Sequence, residues 1–175
     1  MFEQLMEKRR SIRHFTEEEV SKEDLEKILK AGLLAPTAKN RKPIDLIVIQ
    51  DKEMLEQLSK MKKTGGQFLA NCPVGIAVVG NTEKAKETYV EDASIAATFI
   101  QLQVTDLGLG SCWGNVIGSY HEDGRSTGEV VKELLKLPDH YEAVAIIGLG
   151  HIGKEPGNLP PFNWKEQVHY EKMED

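Results

Sequence analysis

Residues 74–80 read VGIAVVG, seven positions without a charged or hydrogen-bonding side chain. A strand that is apolar on both faces must be covered on both faces, so this one belongs inside a sheet with other elements packed above and below it. The neighbouring sequence can supply that cover. Residues 45–50 (DLIVIQ) and 141–150 (YEAVAIIGLG) read as further strands, and residues 108–113 as a glycine-rich turn entering a short one. Residues 2–10 place Phe2, Leu5, Met6 and Arg9 at helical spacing. A second helix opens at Ser21, where Ser21 and Asp24 form a variant capping box before the stripe Leu25, Ile28, Leu29 and Leu33. Pro36 ends it. Helices are also expected near 53–61, 91–107 and 128–137, with Ala93, Ala96, Ala97, Ile100 and Val104 marking a closely packed face on the longest. Residues 115–127 read as a polar, mobile connection.

Strand and helix thus alternate. Alternation alone suggests a parallel sheet, although a mixed sheet with antiparallel members satisfies the same pattern. With 175 residues and 40% hydrophobic content, the chain suits one domain, 1–175, with a real core. Its formal charge of −6 argues against nonspecific nucleic-acid binding. No apolar run is long enough to span a bilayer, and the start, MFEQLMEKRRS, is not of signal-peptide type. These features predict a cytoplasmic protein without a membrane or nucleic-acid partner. Cys72 and Cys112 lack metal-ligand spacing and read as buried thiols in a reducing compartment. The five histidines show no metal spacing, and no metal is expected.

Three segments could carry chemistry. In Arg9-Arg10-Ser11-Ile12-Arg13, planar guanidinium donors and a hydroxyl lie within five residues, a set suited to phosphate oxygens. The same residues could equally form a solvated basic helix end. Residues 35–43 (APTAKNRKP) could grip the edge of a polar ring, or simply join a helix to a strand. Residues 108–114 (GLGSCWG) could bring backbone N–H groups close to a flat ligand, or form a tight turn. This third segment is not the dinucleotide fingerprint G-x-G-x-x-G. Asp92 reads as a cap or a buried partner, and no general base or nucleophile can be assigned.

Taken in order, the three segments resemble those of the nitroreductase family of flavin mononucleotide (FMN) enzymes. RRSIRHF is similar to the family's phosphate-binding opening. APTAKNRKP is similar to its A-P-S-x-x-N-x-Q-P segment, and GLGSCW and the closing AIIGLGH strand match as well. The resemblance implies an α+β fold with a mixed, largely antiparallel central sheet flanked by helices, in an interlocked homodimer with two FMN sites at the interface. Arg9, Arg10, Ser11 and Arg13 would hold the phosphate and the pyrimidine edge of the ring. Pro36, Thr37, Ala38 and Asn40 would come from the partner subunit. Trp113, Gly114 and Asn115 would lie near the reactive ring, and Gln67 would add a polar ring contact.

The resemblance also has departures. Lys42 stands where Gln is usual and Ile44 where Trp is common. The family's late Lys or Arg has no clear match in LPPFNWKEQ. The implied activity is transfer of electrons from NAD(P)H to nitroaromatics, quinones or similar acceptors by a ping-pong route. No protein residue is expected to be catalytic, because the flavin carries the redox chemistry. Reductive dehalogenation on the same fold, and a flavin-binding module without turnover, are the alternatives.

Overall fold

The structure is a computed structural model that describes residues 2–173. Its elements run α1 (Phe2–Lys8), α2 (Lys22–Leu34), β1 (Ile44–Ile49), α3 (Lys52–Ser59) and β2 (Val74–Asn81). They continue with α4 (Thr82–Ala85), α5 (Tyr89–Asp106), β3 (Gly110–Asn115), α6 (Thr127–Leu135) and β4 (Tyr141–Gly150). Short 3₁₀ turns occur at Ala38–Asn40, Gln67–Asn71 and Trp164–Gln167.

The strand order is β1-β2-β4-β3, and every pairing within this sheet is antiparallel. The parallel sheet suggested by alternation is therefore not formed. Its physical basis is the long helix α5, which carries the chain from β2 to the far edge of the sheet. There β3 forms, and β4 returns antiparallel between the two. One parallel contact does exist, an isolated bridge between Ser11 and Ser111. The sheet is thus largely antiparallel within an α+β fold, as the family resemblance implied.

Strand β2 is buried at every position, and its side chains divide between two apolar layers. Val74, Ile76 and Val78 pack with Ile28 of α2 and Ala93, Ala97 and Ile100 of α5. Ala77 and Val79 pack with Leu55 and Leu58 of α3 and Val131 of α6. Burying one such large aliphatic side chain contributes about 1.5–3 kcal/mol. Where α2 meets α5, a Cβ on Gly32 would stand 2.8 Å from Ile100 Cγ1, so glycine sets this close crossing.

Opposite Val78 and Val79 the register steps from Ala145 to Ala143, leaving Val144 as the extra residue of a bulge. The Val144 carbonyl accepts the Val116 N–H at 3.2 Å, so the bulge anchors the loop that leaves β3. Beyond β4 the tail extends along the surface. There Leu159, Phe162, Trp164, Tyr170 and Met173 are between 57% and 82% exposed. Among the described residues no helix is long and apolar enough to cross a membrane.

Candidate functional site

After α1 the chain runs along the open edge of β3. The Ile12 N–H donates to the Ser111 carbonyl at 2.9 Å, and the Ile12 side chain is buried. A Cβ on Gly110 would lie 2.8 Å from three Ile12 side-chain atoms, so a glycine there lets the segment press against the strand. Ser11, Arg13 and His14 then line a cavity of about 250 Å³ together with Lys154, Glu155 and Gly157. Arg10 does not line it; its Nη2 donates to the Gly157 carbonyl at 2.7 Å and straps the tail across the rim.

Lys154 adds a cation to this cavity. It lies upstream of the LPPFNWKEQ stretch, in HIGKEPG, and nothing in its local pattern ties it to residues 9–13. Only the fold brings it beside Ser11 and Arg13.

Burial pushes the Cys112 thiol up, while the charges of Arg13, Lys62 and Arg9 act on it in the opposite sense. These three cations therefore flank one strand, β3. Among the described residues, neither they nor Lys154 make an ion pair with a carboxyl group. The cavity is lined by two such cations, Arg13 and Lys154, against the single carboxyl group of Glu155, a balance that favours an anionic ligand.

At the other end of β3, Trp113 Nε1 donates to Asn115 Oδ1 at 3.4 Å, and Asn115 Nδ2 donates to the Ile117 carbonyl at 2.6 Å. Lys62 Nζ donates to the Asn115 carbonyl at 2.9 Å. Gln67 sits on the same stretch as Lys62, and its Oε1 accepts the Gly65 N–H at 2.8 Å. Gly114 has a packing reason beside any role in ligand clearance: a Cβ there would stand 2.9 Å from the Ile146 carbonyl oxygen.

Residues 115–127, expected to be a mobile connection, form a hydrogen-bonded turn. Thr127 N–H donates to the Ser119 carbonyl, His121 N–H to that of Arg125, and Lys63 N–H to that of Tyr120. The Arg125 backbone N–H, with His121 and the Arg125 side chain, holds Asp123 well below the usual carboxylate range. Ser126 and Glu129 close a capping box on α6, a signal that a helix start at 128 overlooked. Tyr120 and Ile117 stand exposed on this turn.

The segment 36–40 lies elsewhere. Asp92, 2% exposed, accepts the Ala38 N–H on Oδ1 at 2.8 Å and the Thr88 hydroxyl on Oδ2 at 3.2 Å. Thr37 Oγ1 accepts the Lys42 N–H at 3.0 Å. Nine residues farther along α5, Gln101 Nε2 donates to Ser111 Oγ at 3.4 Å. At 1.5 Å per residue, the second segment is displaced by roughly 14 Å along α5 from the strand that carries the other two. One protomer brings residues 9–13, 62–67 and 113–115 to a single strand and leaves residues 36–40 apart. A larger cavity of about 690 Å³ lies between Phe15, Val20, Lys52, Leu55 and Pro73, and none of the site residues singled out in the sequence lines it.

Comparison with known proteins gives the same picture over nearly the whole chain. The model of the nitroreductase family matches residues 6–65 and 55–151. A solved FMN-dependent nitroreductase from Clostridium difficile R20291 is 41% identical, with a TM-score of 0.91 over 97% of this chain and 98% of that one. A protein of Archaeoglobus fulgidus is 37% identical over 170 residues, 94% of each chain, and bears the provisional name NADH dehydrogenase/NAD(P)H nitroreductase. A provisionally named nitroreductase from Desulfovibrio desulfuricans, solved in complex with FMN, is 25% identical with a TM-score of 0.79, covering 97% of this chain and 96% of that one. The ordered motifs, the antiparallel sheet and the extent of these matches show that this chain belongs to the nitroreductase family.

Proposed function

We propose that the protein is an FMN-dependent oxidoreductase that draws electrons from NAD(P)H and passes them to nitroaromatics, quinones or similar small acceptors. One observation carries this reading. Arg9, Arg13 and Lys154 gather near Ser11 and Lys62 reaches the far end of β3, with no carboxyl group paired to any of them among the described residues. Arg9, Ser11 and Lys154 fit a terminal phosphate, Arg13 the pyrimidine edge of the ring, and the backbone of Trp113, Gly114 and Asn115 the ring itself. Charge-assisted bonds from guanidinium to phosphate are the strong members of such a set. The cluster is sized for one phosphate, and no dinucleotide fingerprint accompanies it, which favours FMN over FAD.

The protein acts as a homodimer in this proposal. Pro36, Thr37, Ala38 and Asn40 stand too far from β3 to complete the site of their own protomer, so they would complete that of a second copy. Large apolar side chains are exposed on α1 (Phe2, Met6), α2 (Leu33, Leu34) and α5 (Phe99), as well as on the tail. A second copy would remove this surface from water.

When bound, FMN supplies the redox chemistry by accepting a hydride and releasing the electrons to an acceptor. The chain's residues bind, orient and shield. Arg13 would place a positive charge where negative charge grows on reduction. Backbone would cover one face of the ring, and both substrates would take turns at the other, with Tyr120 and Ile117 on its wall. That shared face predicts ping-pong kinetics. Titration of apo-protein with FMN and with FAD tests the cofactor, and initial rates with a quinone test the mechanism. Tight binding of FMN alone and parallel double-reciprocal lines are expected. Preference for FAD, or intersecting lines, would overturn the corresponding part.

A further inference from the structure

Lys62 lies just past α3, on a segment that the sequence offered only for Gln67. Its side chain is half-buried and crosses to the end of β3, where one of its three N–H donors is spent on the Asn115 carbonyl. Ser119 Oγ donates to the same carbonyl at 3.2 Å, and Trp113 is tied to the Asn115 side chain. The lysine therefore joins a fixed network, and its position is set by the backbone it holds. Nearby Lys60 is neutralised by Glu56 at 2.9 Å. Lys62 has no such partner within ion-pair distance among the described residues. Desolvation holds its ammonium below the ordinary lysine range. An uncompensated, half-desolvated charge is stabilised by any anion that reaches it.

Distance decides which anion this is. Ser111, which pairs with Ser11, and Asn115 are four residues apart on β3. At about 3.3 Å per residue that is roughly 13 Å, so Lys62 stands at the opposite end of the strand from the phosphate cluster. We infer that Lys62 is a second ring-facing cation, distant from Arg13 along β3, that binds reduced FMN more tightly than oxidised FMN and so raises the flavin potential. The inference rests on the FMN reading above. Negative charge enters the ring system on reduction, and the two N–H donors not spent on Asn115 would be available to it without reorganising the lysine.

The test is affinity, measured without turnover. Apo-protein is titrated with oxidised FMN and, anaerobically, with dithionite-reduced FMN, in wild type, Lys62→Met, Lys62→Gln and Lys62→Arg. In the Met and Gln variants, oxidised FMN should bind within threefold of wild type, and reduced FMN at least tenfold more weakly. A tenfold change in that ratio lowers the two-electron midpoint by about 30 mV. Lys62→Arg should stay within threefold for both states. Equal weakening of both states would make Lys62 merely structural and overturn the inference, as would an unchanged ratio. If Lys62→Met fails to fold, the Gln variant decides alone. Wild type that binds FMN in neither state would instead sink the FMN reading itself.

Discussion

Asp92 is the buried post on which the 36–42 loop is hung. Asp92→Ala deletes the acceptor of the Ala38 N–H at 2.8 Å and of the Thr88 hydroxyl at 3.2 Å. A stranded, part-buried N–H costs about 1–3 kcal/mol, and a lost hydroxyl bond about 1 kcal/mol, so about 2–4 kcal/mol is expected. For a chain of this size each kcal/mol moves Tm by about 2–4 °C, so thermal unfolding followed by circular dichroism should show a fall of about 4–16 °C. Asp92→Asn should lose less than half as much. Its Oδ1 still accepts from Ala38, and its amide can donate to the Thr88 oxygen. Within the loop the Asn40 N–H donates to the Thr37 carbonyl and the Lys42 N–H to Thr37 Oγ1, while Asp92 ties it to α5; Lys39, Asn40 and Lys42 carry φ of 53°, 53° and 46°, values uncommon outside glycine. Asp92→Ala should therefore also weaken FMN binding by the assembled protein, although Asp92 touches none of residues 9–13. Tm values for the Ala and Asn variants within a degree of each other would refute the hydrogen-bond argument.

Arg9→Ala and Arg13→Ala should each weaken FMN binding by about 1.5–3 kcal/mol, roughly ten- to a hundredfold, with circular dichroism unchanged. Of the two, only Arg13→Ala should also lower the flavin potential. Gly110→Ala drives a Cβ to 2.8 Å from Ile12 and should push residues 9–13 off β3, reducing FMN occupancy more than it reduces Tm. Burial pushes the Cys72 thiol up to about 12 from an ordinary 9.0. Its folded-state value is raised, so its contribution to stability is intact below about pH 9 and is lost as pH rises toward 12. Urea midpoints measured across that window should fall in wild type, and fall less steeply in Cys72→Ala.

Much of the fold was legible because burial writes itself into composition. The run at 74–80 could only be an inner strand, and β4 was read with its observed ends. Strand direction was not legible, because alternation is the same whether β4 enters the sheet parallel or antiparallel. The local motifs were visible, but their grouping was not. Lys154 meets residues 11–13, and Lys62 the far end of β3, only through tertiary placement, and Asp92 revealed its role only as the anchor of a loop 54 positions away. The glycines of the third motif read equally as ligand clearance or as a tight turn. Gly108, with φ of +74°, makes the turn that ends α5, and Gly110 and Gly114 admit Ile12 and the β4 backbone. The turn at 115–127 reads as loose because polarity alone does not tell a solvated loop from one whose Asn115, Ser119, Asp123 and Ser126 side chains bond neighbouring backbone groups.

Anaerobic addition of NADPH or NADH to the FMN-loaded protein shows whether this chain passes electrons through its flavin. One equivalent of at least one of the nicotinamides should bleach the flavin absorbance, and an added quinone should restore it. A yellow protein that keeps its colour with excess of both would be a flavin-binding module without turnover, and the proposed oxidoreductase activity would be wrong.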